Sequence, residues 1–303
     1  MEKPFSLDKD NDVESFKELF GIKQEAVIEA LKKKKTPVIW LSGLDCTGCI
    51  ESFLRSRNPG TGALLLEWIS LEYSELLAQS SGEDIEANKK SILEKYHGEY
   101  ILVIEGAIPL KDEFLMVAGQ SVRQAIVEAA KGAKAVLVFG SCSSWGGIPA
   151  AYPNPTESVA AVEHIKEGPF VIIPGCPPIP EVMAGTLLYI VITGKIPDLD
   201  KKRRPKFFYE CTIHKGCHRK RYFDDGLFAE SYDDEGARKG YCLFKLGCKG
   251  PSTFNACESL GWSVDKKGSP INAGASCIGC SEKDFWDKGP LSYRSVKNKG
   301  KGH

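Results

Sequence analysis

The sequence predicts a doubly wound α/β domain followed by an irregular domain organised by metal. Three observations carry that expectation. Short apolar runs alternate with amphipathic segments from Thr36 to about Leu199, the alternation then stops, and eleven cysteines are spread over both parts of the 303-residue chain. The length suits about two domains. A composition 42% hydrophobic and 26% charged is ordinary globular material. Forty basic side chains balance forty acidic ones, so a nucleic-acid or polyanion partner is disfavoured.

The elements follow in order. Residues 1–35 form a charged N-terminal extension with one helical stretch, Lys23–Lys35, ending in a lysine run. The expected strands are Val38–Leu41, Leu64–Ile69, Tyr100–Ile104, Ala135–Phe139 and Phe170–Ile173. Each is four to six residues long and rich in β-branched or aromatic residues, and most have Gly or Pro close by, as buried parallel strands should. Asp84–Tyr96, Gly119–Gly132, Thr156–Glu167 and Pro180–Thr193 read as helices. The domain they build spans residues 36–200 and has a flavodoxin-like plan. Asp198–Pro205 is a charged linker, and residues 201–303 are rich in Gly, Lys, Asp and Cys without periodic apolar runs. Such a segment needs another organiser, and bound metal supplies folding energy directly. The longest apolar stretch, Val182–Thr193, is too short to span a bilayer, so no transmembrane segment is expected.

The cysteines fall into sets. Cys46, Cys49, Cys142 and Cys176 each follow the carboxyl end of an expected strand, where open α/β sheets bind ligands. Four thiolates there suit zinc or an iron–sulfur cluster. His214 and Cys217, with Cys242 and Cys248, form a second set, in which spacing alone leaves His218 as a rival to His214. Cys257 with Cys277 and Cys280 forms a third. Cys211 is left over, and its expected role is that of a small buried apolar side chain.

These residues resemble the small, electron-transferring subunit of nickel–iron uptake hydrogenases. The likeness runs from about Pro37 to Asp287 through Asp45-Cys-Thr-Gly-Cys-Ile-Glu-Ser52, Gly140-Ser-Cys-Ser-Ser-Trp-Gly-Gly147 and Pro174-Gly-Cys-Pro-Pro178. It continues through Ile213-His-Lys-Gly-Cys217, Leu246-Gly-Cys-Lys-Gly-Pro251, Ser276-Cys-Ile-Gly-Cys-Ser-Glu282 and Phe285-Trp-Asp287. The resemblance implies a proximal 4Fe–4S cluster on Cys46, Cys49, Cys142 and Cys176. It implies a distal 4Fe–4S cluster on His214, Cys217, Cys242 and Cys248, and a medial cluster on Cys257, Cys277 and Cys280. The family's fourth medial position falls on Pro270, which has no donor side chain, so 3Fe–4S is implied there.

Two departures carry weight. Oxygen-tolerant members have two further cysteines beside the proximal cluster, at positions that are Gly48 and Gly147 here, so ordinary oxygen sensitivity is implied. Ser15–Gly21 has a faint likeness to a twin-arginine leader without its arginines, so a cytoplasmic location is expected, with a periplasmic one after leader removal as the alternative.

By resemblance the chain serves a hydrogenase whose nickel–iron site lies in a separate large subunit. Electrons accepted at the proximal cluster would leave the distal one for a cytochrome, a ferredoxin-like protein or another carrier. Asp45 and Glu51, flanking the first cysteine pair, are candidates for contact with a proton route. Rival readings are the cluster-carrying subunit of another respiratory oxidoreductase and a structural zinc-binding protein. The second and third cysteine sets stand against the first rival, and the three-cysteine set is a poor closed zinc site.

Overall fold

The computed structural model describes residues 21–57, 59–165, 168–262 and 268–288. The chain divides into two compact units between Phe207 and Phe208. The expected extension over 1–20, the leader-like segment before Gly21 and the last two residues of Thr156–Glu167 lie outside the described residues.

In the first unit, five strands form one parallel sheet. They are β1 Thr36–Ser42, β2 Ile69–Ser74, β3 Ile101–Glu105, β4 Ala135–Phe139 and β5 Phe170–Ile173, in the order β2-β1-β3-β4-β5. That is the strand order of flavodoxin-like doubly wound domains, with the chain reversing direction across the sheet between β1 and β3. The register is regular from β1 through β5, where Val38 pairs with Ile101, Ile101 with Ala135 and Val136 with Phe170, and it shifts between β1 and β2 after Val38. Every residue of β3 and β4 is buried, so the apolar runs are continuous rather than alternating.

The helices are α1 Gln24–Leu31, α2 Gly48–Leu54, α3 Gly82–Lys95, α4 Val122–Lys131, α5 Gly140–Trp145 and α6 Pro180–Thr193. On one face of the sheet Ile39, Leu102, Ile104, Val136 and Val138 pack with Ile85 and Ile92 of α3 and Ile126 of α4. The other face carries Trp40 and Phe139, whose ring centroids lie 5.4 Å apart, and Phe53 of α2 closes over both. The Ser121 hydroxyl caps α4 by accepting from Gln124 N at 3.3 Å. Helix α6 is buried almost all round, which explains its unbroken apolar sequence, and Gly194 ends it in the left-handed conformation.

Two expected elements differ. Leu64–Ile69 is not a strand: Leu64–Trp68 is a π-helical turn and β2 begins only at Ile69. Leu64 and Trp68 are buried while Leu66 between them is 68% exposed, a helical spacing that a strand would invert. Thr156–Glu167 is not a helix. Ser158–Val159 pairs antiparallel with Ile108–Pro109, and Ala161–Glu163 makes a single 3₁₀ turn. The Asn154 side chain accepts from Ser158 N at 2.7 Å and donates to Ser158 O at 3.0 Å, which draws this backbone into a turn before a helix can begin. The charged segment Asp198–Pro205 is folded onto the first unit, with Arg203 O accepting from Ile172 N of β5 at 2.9 Å.

The second unit is built differently. Among its described residues there is no multi-residue strand, and no helix exceeds five residues. Short turns at Ile213–Gly216, Lys220–Asp224, Glu235–Arg238 and Cys257–Leu260 are tied by isolated bridges, Thr212 to Phe254 and Phe228 to Cys242. Its buried side chains include Leu243, Ile271, Phe285 and Trp286 together with five cysteines. No helix among the described residues is long and apolar enough to cross a membrane.

Candidate metal centres

The first centre lies at the carboxyl edge of the parallel sheet. Cys46 and Cys49 follow β1, Cys142 follows β4 and Cys176 follows β5. Hydrogen bonds tie the three loops together. Ser141 N donates to Gly175 O at 2.8 Å while Gly175 N donates to the Ser141 hydroxyl at 3.0 Å, so the β4 and β5 loops hold each other. The Ser52 hydroxyl of α2 donates to Pro178 O at 2.7 Å and joins the third loop.

Close approach here depends on glycine. At Gly140, with φ +89°, a Cβ would press into Cys49 Sγ, and at Gly147, with φ +57°, it would lie 2.7 Å from Cys142 Sγ. The four thiols act on one another electrostatically. Burial pushes the Cys49 thiol well above its ordinary pKa, and charge on Glu105, Cys142, Cys176 and Cys46 pushes it further. Cys142 is raised to about 12 by burial and then by Cys176. A set of soft donors that resist ionisation alone yet converge from three loops fits a bound cation, whose charge reverses that penalty.

Sequence reasoning did not single out Glu105. It ends β3, is only 1% exposed and accepts from Cys49 N at 2.9 Å, Ile50 N at 3.1 Å and Trp40 Nε1 at 3.2 Å. It therefore caps the start of α2 from beneath the cysteine pair. Burial, then the charge of Asp45, raises its pKa to about 7. The available signal was an acidic residue closing an otherwise apolar strand. Asp45 itself is raised by burial and holds Thr47 N at 2.9 Å, whereas Glu51 is exposed on α2.

The second centre gathers His214, Cys217, Cys242 and Cys248 around one cavity, which Arg219, Leu243, Phe244, Gly250, Pro251 and Ile271 complete. Ile213 N donates to Thr253 O at 2.8 Å, anchoring the turn that presents His214 and Cys217. Cys242 N donates to Leu227 O and Ala229 N to Cys242 O, which fixes the third donor. The His214 ring meets Phe223 edge-on at 4.6 Å, and burial followed by the charge of Lys220 lowers its pKa, favouring the neutral ligand form. His218, the rival on spacing, does not line the cavity; its Nδ1 lies 3.3 Å from Glu258 Oε2. Arg219 was also missed. Its buried guanidinium donates to Tyr241 O at 2.9 Å, and its charge lowers the pKa of Cys242 and Cys248 against the effect of burial.

The third centre comprises Cys257, Cys277 and Cys280, all buried. Trp262 Nε1 donates to Cys257 Sγ at 3.3 Å and Gly279 N to Cys277 Sγ at 3.4 Å. Burial lifts Cys257 and Cys277 to about 12, and each thiol is raised further by a neighbour within the set. Lys249 N donates to Cys277 O at 2.8 Å, binding this loop directly to the residue after Cys248. Pro270 follows Ser269, whose hydroxyl donates to Glu258 Oε1 at 2.8 Å beside Cys257.

Cys211 departs from expectation. It is exposed rather than buried, with Lys215 Nζ 3.5 Å from its sulfur, because it lies on a bend ahead of the turn that faces His214 inward. None of the eleven cysteines is paired in a disulfide.

Comparison with known proteins separates the two parts of the chain. Residues 209–293 match the C-terminal family of the NiFe/NiFeSe hydrogenase small subunit. Residues 46–190 match the NADH ubiquinone oxidoreductase 20 Kd subunit family. An uptake hydrogenase small subunit from Azotobacter vinelandii is 49% identical over 264 residues, covering 86% of this chain and 74% of that protein. The hydrogenase-1 small chain of Escherichia coli is 43% identical over 87% of this chain and 71% of its own length. Among solved structures, the reduced, active nickel–iron–selenium hydrogenase of Desulfomicrobium baculatum aligns with a TM-score of 0.78 at 34% identity. That alignment covers 87% of this chain and all of the other. The corresponding enzyme of Desulfovibrio vulgaris Hildenborough gives 0.80 at 31% identity, over 88% and 99%.

Proposed function

The chain belongs to the small-subunit family of nickel–iron hydrogenases, and from that premise we propose which of its residues hold which cluster. As a small subunit it is the electron-transferring part of a hydrogen oxidoreductase and pairs with a large subunit. Cys46, Cys49, Cys142 and Cys176 hold a proximal 4Fe–4S cluster. His214, Cys217, Cys242 and Cys248 hold a distal 4Fe–4S cluster, and Cys257, Cys277 and Cys280 a medial 3Fe–4S cluster. When bound, the clusters supply one-electron carriers between the hydrogen-splitting site of the large subunit and an external acceptor.

The observation that supports the assignment is the cavity that His214 and Cys217 share with Cys242 and Cys248 and that His218 does not line. The protein's own residues do the remaining work. Glu105 and the Ser141–Gly175 pair hold the proximal loops in place; Phe223, Trp262 and the buried apolar shell exclude water from the distal and medial donors. The medial cysteines are buried, whereas the distal turn carries the exposed residues Lys215, Gly216 and His218. That contrast supports the distal set as the exit, with a cytochrome, ferredoxin-like protein or similar carrier docking on its charged rim. Exposed Ile148 and Tyr152, which follow the Cys142 loop, support docking of the large subunit at the proximal end. An exposed thiol outside the three sets, Cys211, fits a reducing compartment, and the cytoplasm is the proposed one.

Anaerobic co-purification with the large subunit tests the assignment. Nickel, acid-labile sulfide and about eleven iron atoms beyond those of the active site are expected for this cluster set. A colourless complex containing zinc instead of iron would refute it.

A further inference from the structure

We propose that Glu258 is a charge shared by the distal and medial ligand sets, holding down the reduction potentials of both clusters. The proposal rests on the cluster assignment above. Glu258 follows the medial ligand Cys257 directly, on the turn Cys257–Leu260. Its side chain is only 8% exposed. The Ser269 hydroxyl donates to Oε1 at 2.8 Å, and His218 Nδ1 lies 3.3 Å from Oε2. Among the described residues, a carboxylate oxygen of Glu258, a ring nitrogen of His218 and Cys217 Sγ lie within 4.8 Å of one another. Glu258 thus stands between a medial ligand, its neighbour in sequence, and a distal ligand, its neighbour in space.

The electrostatics agree with that position. The carboxylate of Glu258 lies within 4.8 Å of Cys217 Sγ and belongs to the residue bonded to Cys257, so its charge is close to one thiol of each set. The side chain facing Glu258 Oε2 is His218, whose Nδ1 is 3.3 Å away and which is 48% exposed and therefore shared with solvent. The hydrogen bond from Ser269 and the contact with His218 offset the cost of keeping a carboxylate at such a place. A fixed negative charge stabilises the oxidised, more positive state of a nearby cluster and so lowers its potential, strongly where water is excluded. Glu258 touches no reacting atom; it acts through space on both groups, and more on the distal set, whose Cys217 Sγ lies within 4.8 Å of its carboxylate oxygen.

EPR-monitored redox titration of the intact heterodimer tests this. Glu258→Gln keeps the shape and removes the charge. The distal and medial midpoint potentials are expected to rise, the distal more, while the proximal one stays. Glu258→Asp, which restores the charge, is expected to return both toward the parent values. Ser269→Ala removes a hydrogen bond that offsets the charge, and both potentials are expected to fall. Unmoved potentials in Glu258→Gln overturn the proposal. If that variant loses iron, Ser269→Ala decides: lowered potentials support the shared charge and unmoved ones overturn it. Absence of the distal and medial signals from the parent heterodimer is a separate result. It overturns the cluster assignment, and this proposal with it, and is distinguishable from intact signals at unmoved potentials.

Discussion

The two units place cysteines by opposite means. In the first, a five-stranded sheet with apolar packing on both faces exists apart from any thiol, and the ligand loops hang from its edge. In the second, the described elements are turns of three to five residues, and five of the cysteines are themselves part of the buried interior. A sheet positions ligands with its own packing energy; a unit of short turns borrows that energy from the ligand it holds. The same type of donor is therefore an addition to one unit and a foundation of the other.

Stripping iron is the strongest way to break this comparison. Amides of Ile213–Gly216 and Cys257–Leu260 are expected to lose hydrogen-exchange protection, while β3 and β4 stay protected. Structural metal sites contribute on the order of 10 kcal/mol to small folds of this kind. Equal loss in both units, read by exchange mass spectrometry, would erase the distinction.

Gly140→Ala gives a smaller and local effect. Its positive φ and the contact with Cys49 Sγ leave no room for a methyl, at a backbone cost of about 1–2 kcal/mol. The proximal EPR signal is expected to vanish while the sheet and the distal signal persist. Collapse of the whole first unit would show that the loop supports the sheet rather than the reverse.

Pro270→Cys sharpens the contrast within the second unit. Supplying a fourth donor is expected to convert the medial cluster to 4Fe–4S and lower its potential, with little change in stability. A medial centre with no 3Fe signal in the unmodified protein would remove the premise.

Acid titration gives the smallest effect. Hydrogen bonds from Arg123 and Ser121 hold the Asp112 carboxyl down to about 2, below its ordinary 3.8. Its folded pKa is depressed, so its contribution is fully present above pH 3.8 and is lost as pH falls through about 2. Asp112→Asn should flatten acid unfolding of the first unit only slightly in that window, because the side chain is 29% exposed and solvent screens it. An unchanged acid profile would show that the pair contributes nothing.

Legibility followed the same division. The strands of the first unit can be read because burial on both faces forces continuous apolar runs. Leu64–Ile69 misleads because so short a mostly apolar run does not reveal its period, and the exposure of Leu66 that settles the matter is a tertiary fact. Thr156–Glu167 misleads because Asn154 and the Ile108–Pro109 strand compete for its backbone. In the second unit no element boundary can be read, yet the ligand sets can, since thiol spacing survives where periodicity does not.

Residue type and spacing alone set the α/β plan of the first part and the grouping of the thiols into three sets, which any fold of this chain must respect. The want of a donor at Pro270 is what the family resemblance implies. Only the tertiary structure decided that His214 and not His218 faces the distal cavity, that Cys211 is exposed, and that Glu105 and Glu258 lie among the thiols. Carboxylates are common everywhere along a chain; what one of them does depends on the water and charge around it, and folding sets both.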